Sequence, residues 1–144
     1  MKTVRILFID DETAFTATLL ERMELRNIDA KAAPDGHSGI AMMDESVRSG
    51  TPFEVIVLDV LMPGMDGLET LRHLRQRHPG VPVVVLTGHG STRDGMKAMQ
   101  LGAVDYLVKP VDIDELVRVV HNAAECADAM SPKACMEQGP AEQI

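Results

Sequence analysis

Three short runs of this chain, Val4 to Ile9 (VRILFI), Phe53 to Leu58 (FEVIVL) and Val81 to Leu86 (VPVVVL), are apolar almost without interruption. A strand with one face in water alternates polar and apolar residues, so runs like these mark strands covered on both faces. Between them, apolar residues recur at helical spacing: Phe15, Leu19, Leu20 and Met23 within Thr13 to Arg26, and Leu68, Leu71 and Leu74 before His78-Pro79-Gly80. Strands alternating with helices in this way give a mostly parallel sheet with right-handed crossovers and helices on both faces.

The weaker units complete the pattern. Residues 29 to 33 (DAKAA) read as a second strand, punctuated by Pro34-Asp35-Gly36 and followed by a helix from Ser38 to Val47. The third strand is Val55 to Asp59, and the fourth, Val83 to Thr87, leads to a helix over Thr92 to Leu101 that ends at Gly102, where a left-handed cap is expected. Its start, Gly90-Ser91-Thr92-Arg93-Asp94-Gly95, is poor in helix formers, and the segment from 90 to 96 is predicted to be mobile. Tyr106 to Val108 is a fifth strand, and Asp112 starts the last helix, with Glu115 three residues on in capping-box spacing. Five strand-helix pairs are too few for an eightfold barrel, which leaves an open doubly wound α/β sheet. A chain of 144 residues suits one core and not two.

Charge and composition narrow the function. The net charge of −8 argues against non-specific nucleic-acid binding, which needs clustered Lys and Arg. The densest basic group, Arg72, Arg75 and Arg77, reads as the solvated side of a helix, and the Met-rich stretch at Met96 and Met99 and the strip Leu116, Val119, Val120 read as core. With no apolar segment of membrane-spanning length and no signal-peptide core, the expectation is a cytoplasmic protein without membrane insertion. Cys126 and Cys135 have no CxxC spacing and read as free thiols, and His37, His73, His78 and His121 read as surface residues without metal-ligand spacing.

In open parallel sheets the reactive crevice lies outside the carboxyl ends of the strands. Those ends carry Asp10 and Asp11, Asp59, Thr87 and Lys109. Each has an ordinary use when taken singly: Asp10 or Asp11 as a helix N-cap, Thr87 as a strand former, Lys109 as a surface charge. Asp59 is harder to dismiss, because a carboxylate closing an apolar strand is costly without a partner. All five at one rim is not a packing pattern. Three carboxylates in one place repel unless a cation joins them, and oxygen ligands without His or Cys favour Mg²⁺ or a similar ion that keeps positions open for phosphate oxygens. With the Lys109 ammonium and the Thr87 hydroxyl, the group makes a pocket for an anion having several oxygens. That is a phosphoryl-transfer site with Asp59 as nucleophile.

The acidic pair in FIDDE, the segment LDVLMPGMDG, LTGHG after the fourth strand and GAVDYLVKP together resemble the receiver domains of bacterial two-component response regulators, of the single-domain chemotaxis type. The resemblance covers residues 4 to about 127, and a receiver domain over 1–130 with a short tail over 131–144 is expected. It implies a flavodoxin-like (βα)₅ sheet of order 2-1-3-4-5. It also implies that Asp59 accepts a phosphoryl group from a histidine kinase or phosphotransfer protein. Asp11 and Asp59 then resemble direct Mg²⁺ ligands with the Leu61 carbonyl, and Asp10 a ligand through water. Lys109 resembles the phosphoryl contact, its bond to Pro110 is expected cis, and Thr87 and Tyr106 resemble the switch pair. Phosphorylation is expected to change the face made by the fourth helix, fifth strand and fifth helix, where a protein partner docks.

Leu61, two residues after Asp59, and His89, two after Thr87, are candidates for tuning the lifetime of the acyl phosphate. Two other classes fit less well. A hydrolase with an aspartyl-phosphate intermediate lacks its DxDx motif here, and a nucleotide-binding module lacks both GxxxxGK[ST] and an early GxGxxG. After Ser131-Pro132 only Lys133 to Ile144 remains, so direct DNA binding is not expected. Output by protein contact, a phosphate shuttle or sink, and the receiver fragment of a longer regulator are all compatible with the sequence.

Overall fold

The computed structural model describes residues 3–60, 67–88 and 92–129. Five strands and five helices alternate: β1 (Arg5–Ile9), α1 (Thr13–Leu25), β2 (Asp29–Ala33), α2 (Gly36–Arg48), β3 (Val55–Asp59), α3 (Gly67–Arg77), β4 (Val83–Thr87), α4 (Thr92–Gln100), β5 (Asp105–Val108) and α5 (Ile113–Ala129). All strand pairs are parallel, in the order β2-β1-β3-β4-β5. The sheet is doubly wound as the strand-helix alternation predicts, and its order is the one that the resemblance to receiver domains implies. Every residue of β3 and β4 is buried, as their unbroken apolar runs require.

The two faces of the sheet carry separate cores. One holds Ile6, Phe8, Val55, Val57, Val84 and Leu86 under Leu19 and Met23 of α1 and Leu116 and Val120 of α5. The other holds Leu7, Ile9, Ile56, Leu58 and Val85 under Met43 of α2, Leu71 and Leu74 of α3 and Ala98 of α4. Period-two alternation along each strand sends successive side chains to opposite layers.

Local chemistry fixes the element ends. The Asp35 carboxylate caps α2 by accepting the Ser38 N–H at 2.7 Å, so the helix starts two residues before the expected Ser38. The Asp112 carboxylate accepts the Asp114 N–H at 2.9 Å, one residue earlier than a capping box places that bond. Neither Asp10 nor Asp11 is the N-cap of α1. That position is Glu12, and Asp10 instead accepts the Glu12 N–H at 2.9 Å. Gly102 has φ +105°, the left-handed turn expected after α4.

At the start of α3, a Cβ on Gly67 would lie 2.0 Å from the Val60 Cα and 2.6 Å from the Asp59 carbonyl oxygen. Only glycine lets the helix begin this close to the end of β3.

Some side chains stand elsewhere than the sequence suggests. Met96 is 59% exposed and not core, because α4 turns Gly95 and Ala98 toward the sheet. His78 is no surface histidine: its ring sits 2.7 Å from the carboxylate of Asp44, which also pairs with Arg77 and ties α2 to α3. Gly90 and Ser91, in the segment predicted to be mobile, lie outside the described residues, as do Cys135 and the expected tail over 131–144. Among the described residues no helix is long and apolar enough to cross a membrane.

Candidate functional site

Backbone bonds that continue the ladders past the strands set the site. The Asp10 N–H donates to the Ala33 carbonyl at 3.0 Å, the Val60 N–H to Leu86 at 3.1 Å, and the Lys109 N–H to Thr87 at 2.9 Å. With Asp59 level with Leu86, and Thr87 level with Val108, the carboxyl ends of four strands meet at one rim. Ladder geometry therefore places these residues before any side-chain bond is made.

Three acidic side chains converge there. Asp10, Asp11 and Asp59 each offer a carboxylate oxygen within 4.8 Å of the others. Asp10 and Asp59 are only 2% and 3% exposed, while Asp11 reaches solvent. Close-set oxygens with an open side and no His or Cys suit a hard divalent cation that keeps room for other oxygen ligands. The residues present therefore fit Mg²⁺. Leu61, whose carbonyl is the remaining expected ligand, and His89 lie outside the described residues.

Lys109 supplies the positive charge on the other side of the cluster. Its Nζ donates to Asp10 Oδ2 at 2.9 Å, to Glu12 Oε1 at 2.7 Å and to Asp59 Oδ2 at 3.4 Å. It also stands 4.5 Å from the centroid of the Phe15 ring. Burial raises the pKa of Asp10, aided by the like charge of Asp59 and opposed by the Glu12 N–H and Lys109. Burial works the opposite way on Lys109, but the carboxylates of Glu12, Asp10 and Asp59 outweigh it and raise its pKa. The ammonium therefore stays charged at any working pH. Its bond to Pro110 is cis, as expected.

The other two candidates are near but not joined to this cluster. Thr87 is fully buried, and its hydroxyl donates to the Leu107 carbonyl at 3.5 Å. Tyr106 pairs with Val85, two residues before the level of Thr87 on the same face of the sheet, and its ring lies against Gly95 of α4. The structure thus brings together Asp10, Asp11, Asp59 and Lys109, and leaves Thr87 and Tyr106 turned to partners of their own.

Sequence reasoning missed Glu12 and Phe15. Glu12 directly follows the acidic pair, and Phe15 falls in the first turn of α1 next to the same rim, so position alone offered a signal. Helical spacing had marked Phe15 only as one of the periodic apolar residues of the first helix.

The family model for the response regulator receiver domain matches residues 6–121. The chain is 39% identical over 113 residues to the transcriptional regulatory protein CpxR of Klebsiella pneumoniae subsp. pneumoniae (strain HS11286), covering 78% of this chain and 46% of that protein. It is 42% identical over 101 residues to the DNA-binding transcriptional regulator NtrC of Escherichia coli (strain K12), covering 69% of this chain and 21% of that protein. The chain thus spans less than half the length of these curated relatives.

Among solved structures, a response regulator receiver domain protein from Clostridium thermocellum superposes with a TM-score of 0.78 at 30% identity, covering 85% of this chain and 94% of the other. The receiver domain of NtrX from Brucella abortus gives 0.76 at 30% identity, covering 83% and 98%. Sheet order, acidic rim and sequence agree, and the chain belongs to the family of response regulator receiver domains.

Proposed function

We propose that this receiver domain accepts a phosphoryl group on Asp59 from a histidine kinase or phosphotransfer protein. The observation that carries the reading is the convergence of Asp10, Asp11 and Asp59 within 4.8 Å, with the Lys109 ammonium against two of them. An Asp59 carboxylate oxygen attacks the phosphorus, the bond to the donor breaks with its electron pair going to the leaving group, and an acyl phosphate forms. Asp10, Asp11 and Asp59 would hold Mg²⁺, with the Leu61 carbonyl proposed as a further ligand. When bound, the ion neutralises charge on the transferring group and orients it. Lys109 offers an N–H to a phosphoryl oxygen, and its permanent charge stabilises the anion that develops.

The phosphoryl group adds about two negative charges and three acceptor oxygens. In this reading the Thr87 hydroxyl leaves the Leu107 carbonyl for a phosphoryl oxygen, and Tyr106 turns from Gly95 into the space released. The populations of the face formed by α4, β5 and α5 then shift, which changes its affinity for a protein partner. Leu61 and His89 are proposed to set the acyl-phosphate lifetime, an apolar Leu61 giving no help to an attacking water and His89 shielding or orienting it.

The domain is read as a signalling element whose chemistry ends with its own phosphorylation and dephosphorylation. Incubation with acetyl phosphate and Mg²⁺ followed by intact mass tests this. Wild type should gain one phosphoryl group and Asp59→Asn none. Equal gain by both, or none by wild type, removes the assignment of Asp59. A receiver part of a longer regulator is the favoured setting over a shuttle or sink, because the relatives CpxR and NtrC extend well beyond the matched region.

A further inference from the structure

An ammonium has three N–H donors, and in Lys109 all three are committed, to Glu12 at 2.7 Å, Asp10 at 2.9 Å and Asp59 at 3.4 Å. The shortest of these bonds goes to Glu12, a residue that the phosphoryl chemistry above does not use. The longest goes to the nucleophile. A phosphoryl oxygen on Asp59 can take an N–H from Lys109 only if one partner is released. Asp10 and Asp59 are costly partners to release, since their side chains are 3% and 4% exposed and each would be left as a buried carboxylate with one donor fewer. Glu12 is the cheap one. Its side chain is 61% exposed and returns to water.

Phe15 holds the same ammonium from below. Its ring centroid is 4.5 Å from Nζ, within the range where a ring face attracts a cation, and its apolar body packs on the core beside α1. Glu12 and Phe15 are three residues apart at the start of α1, which puts both on one side of the first turn.

We propose that Glu12 and Phe15 are positioning residues that hold Lys109 in a waiting position, and that the Glu12–Lys109 bond is exchanged for one to the phosphoryl group as Asp59 is phosphorylated. This inference rests on the phosphoacceptor reading of Asp59. The waiting position resists the transfer by the strength of the bond to be broken. Glu12→Gln keeps the length and polarity of the side chain but removes the charge that competes for the ammonium. Phe15→Leu keeps apolar packing and removes the ring face.

Two measurements decide it. In the protein without phosphodonor, the ε-methylene proton resonances of Lys109 should be shifted upfield by the Phe15 ring current and should move toward free-lysine values in Phe15→Leu. With acetyl phosphate at saturating Mg²⁺, the second-order phosphorylation constant should rise about two- to fivefold in Glu12→Gln and rise also in Phe15→Leu, the range set by an exposed ion pair. General damage to the fold would lower that constant. Lys109 resonances that are the same in wild type and Phe15→Leu, or a Glu12→Gln constant equal to or below wild type, overturn the proposal. If wild type takes up no phosphoryl group, the function assigned to Asp59 fails, while the resonance comparison still decides whether Phe15 holds Lys109.

Discussion

The ring of Tyr106 lies so close to Gly95 that a Cβ on that glycine would come within 2.6 Å of the ring. A glycine in a helix interior costs about 1 kcal/mol relative to alanine, so α4 gives up helix stability at the point where it touches β5. In a Tyr106→Ala background, Gly95→Ala should therefore stabilise by about 1 kcal/mol. In the wild-type background the gain should vanish or reverse, because the ring has to move. Urea unfolding of the four proteins gives the coupling directly, and equal gains in both backgrounds would show that the ring does not feel position 95.

Asp10 predicts a pH-dependent stability. Its folded pKa lies above the ordinary 3.8, chiefly through burial, so its contribution favours folding below that value and is lost as pH rises through the raised one. Asp10→Asn should accordingly unfold at a higher temperature than wild type at pH 7 without Mg²⁺. A gain of about 1 kcal/mol corresponds to about 2–4 °C in a chain of this size. The difference should close as the buffer is taken below pH 3.8.

Mg²⁺ should reverse that ranking. A cation bound only by the folded protein stabilises it by about 2.7 kcal/mol at a hundred times its dissociation constant. Wild type should show a rise in Tm that saturates with Mg²⁺, and Asp10→Asn and Asp59→Asn much smaller ones. The same rise in all three would place any Mg²⁺ site elsewhere.

Asp44 has the opposite pH signature. Burial works against its charge, but hydrogen bonds from Arg77 and His78 outweigh it and hold the pKa below 3.8. Its contribution is therefore present above 3.8 and lost as pH falls through the lower folded value. Asp44→Asn should cost about 1–2 kcal/mol at pH 7, between an exposed ion pair and a buried bond to a charged group because Arg77 is half exposed, and progressively less in acid. A cost that does not change with pH would mean that the ion pairs add nothing beyond packing.

Gly67→Ala places a methyl 2.0 Å from the Val60 Cα, next to Asp59 in the chain. The backbone must shift, and a loss of about 2–4 kcal/mol is expected, together with slower phosphorylation. Unchanged stability would show that α3 can slide away from β3 at little cost.

The fold was legible where residue pattern and physical cause coincide. Val55–Asp59 and Val83–Thr87 were read to the residue because an apolar run ends where polarity begins. β5 was read one residue short: Asp105 is a poor strand former by propensity, yet pairing with Val84 recruits it. The acidic rim was legible because parallel topology forces strand ends together. What lay beyond reach were side chains with two duties. Phe15 matches the helical period of a core residue and also sits under Lys109, and His78 looks like a surface residue until Asp44 of α2 is brought beside it. Met96 obeys the apolar pattern but falls on the outward side of a helix of nine residues.

The position of Asp59 has a further consequence. It closes β3, the middle strand of five, hydrogen-bonded on both sides and buried along its length. Proteins open from their edges and ends, and a central strand exchanges its amides only when the whole domain unfolds. A phosphoryl group accepted there, as proposed, would be held by the last part of the molecule to come apart, and thermal fraying of the outer elements would leave it in place.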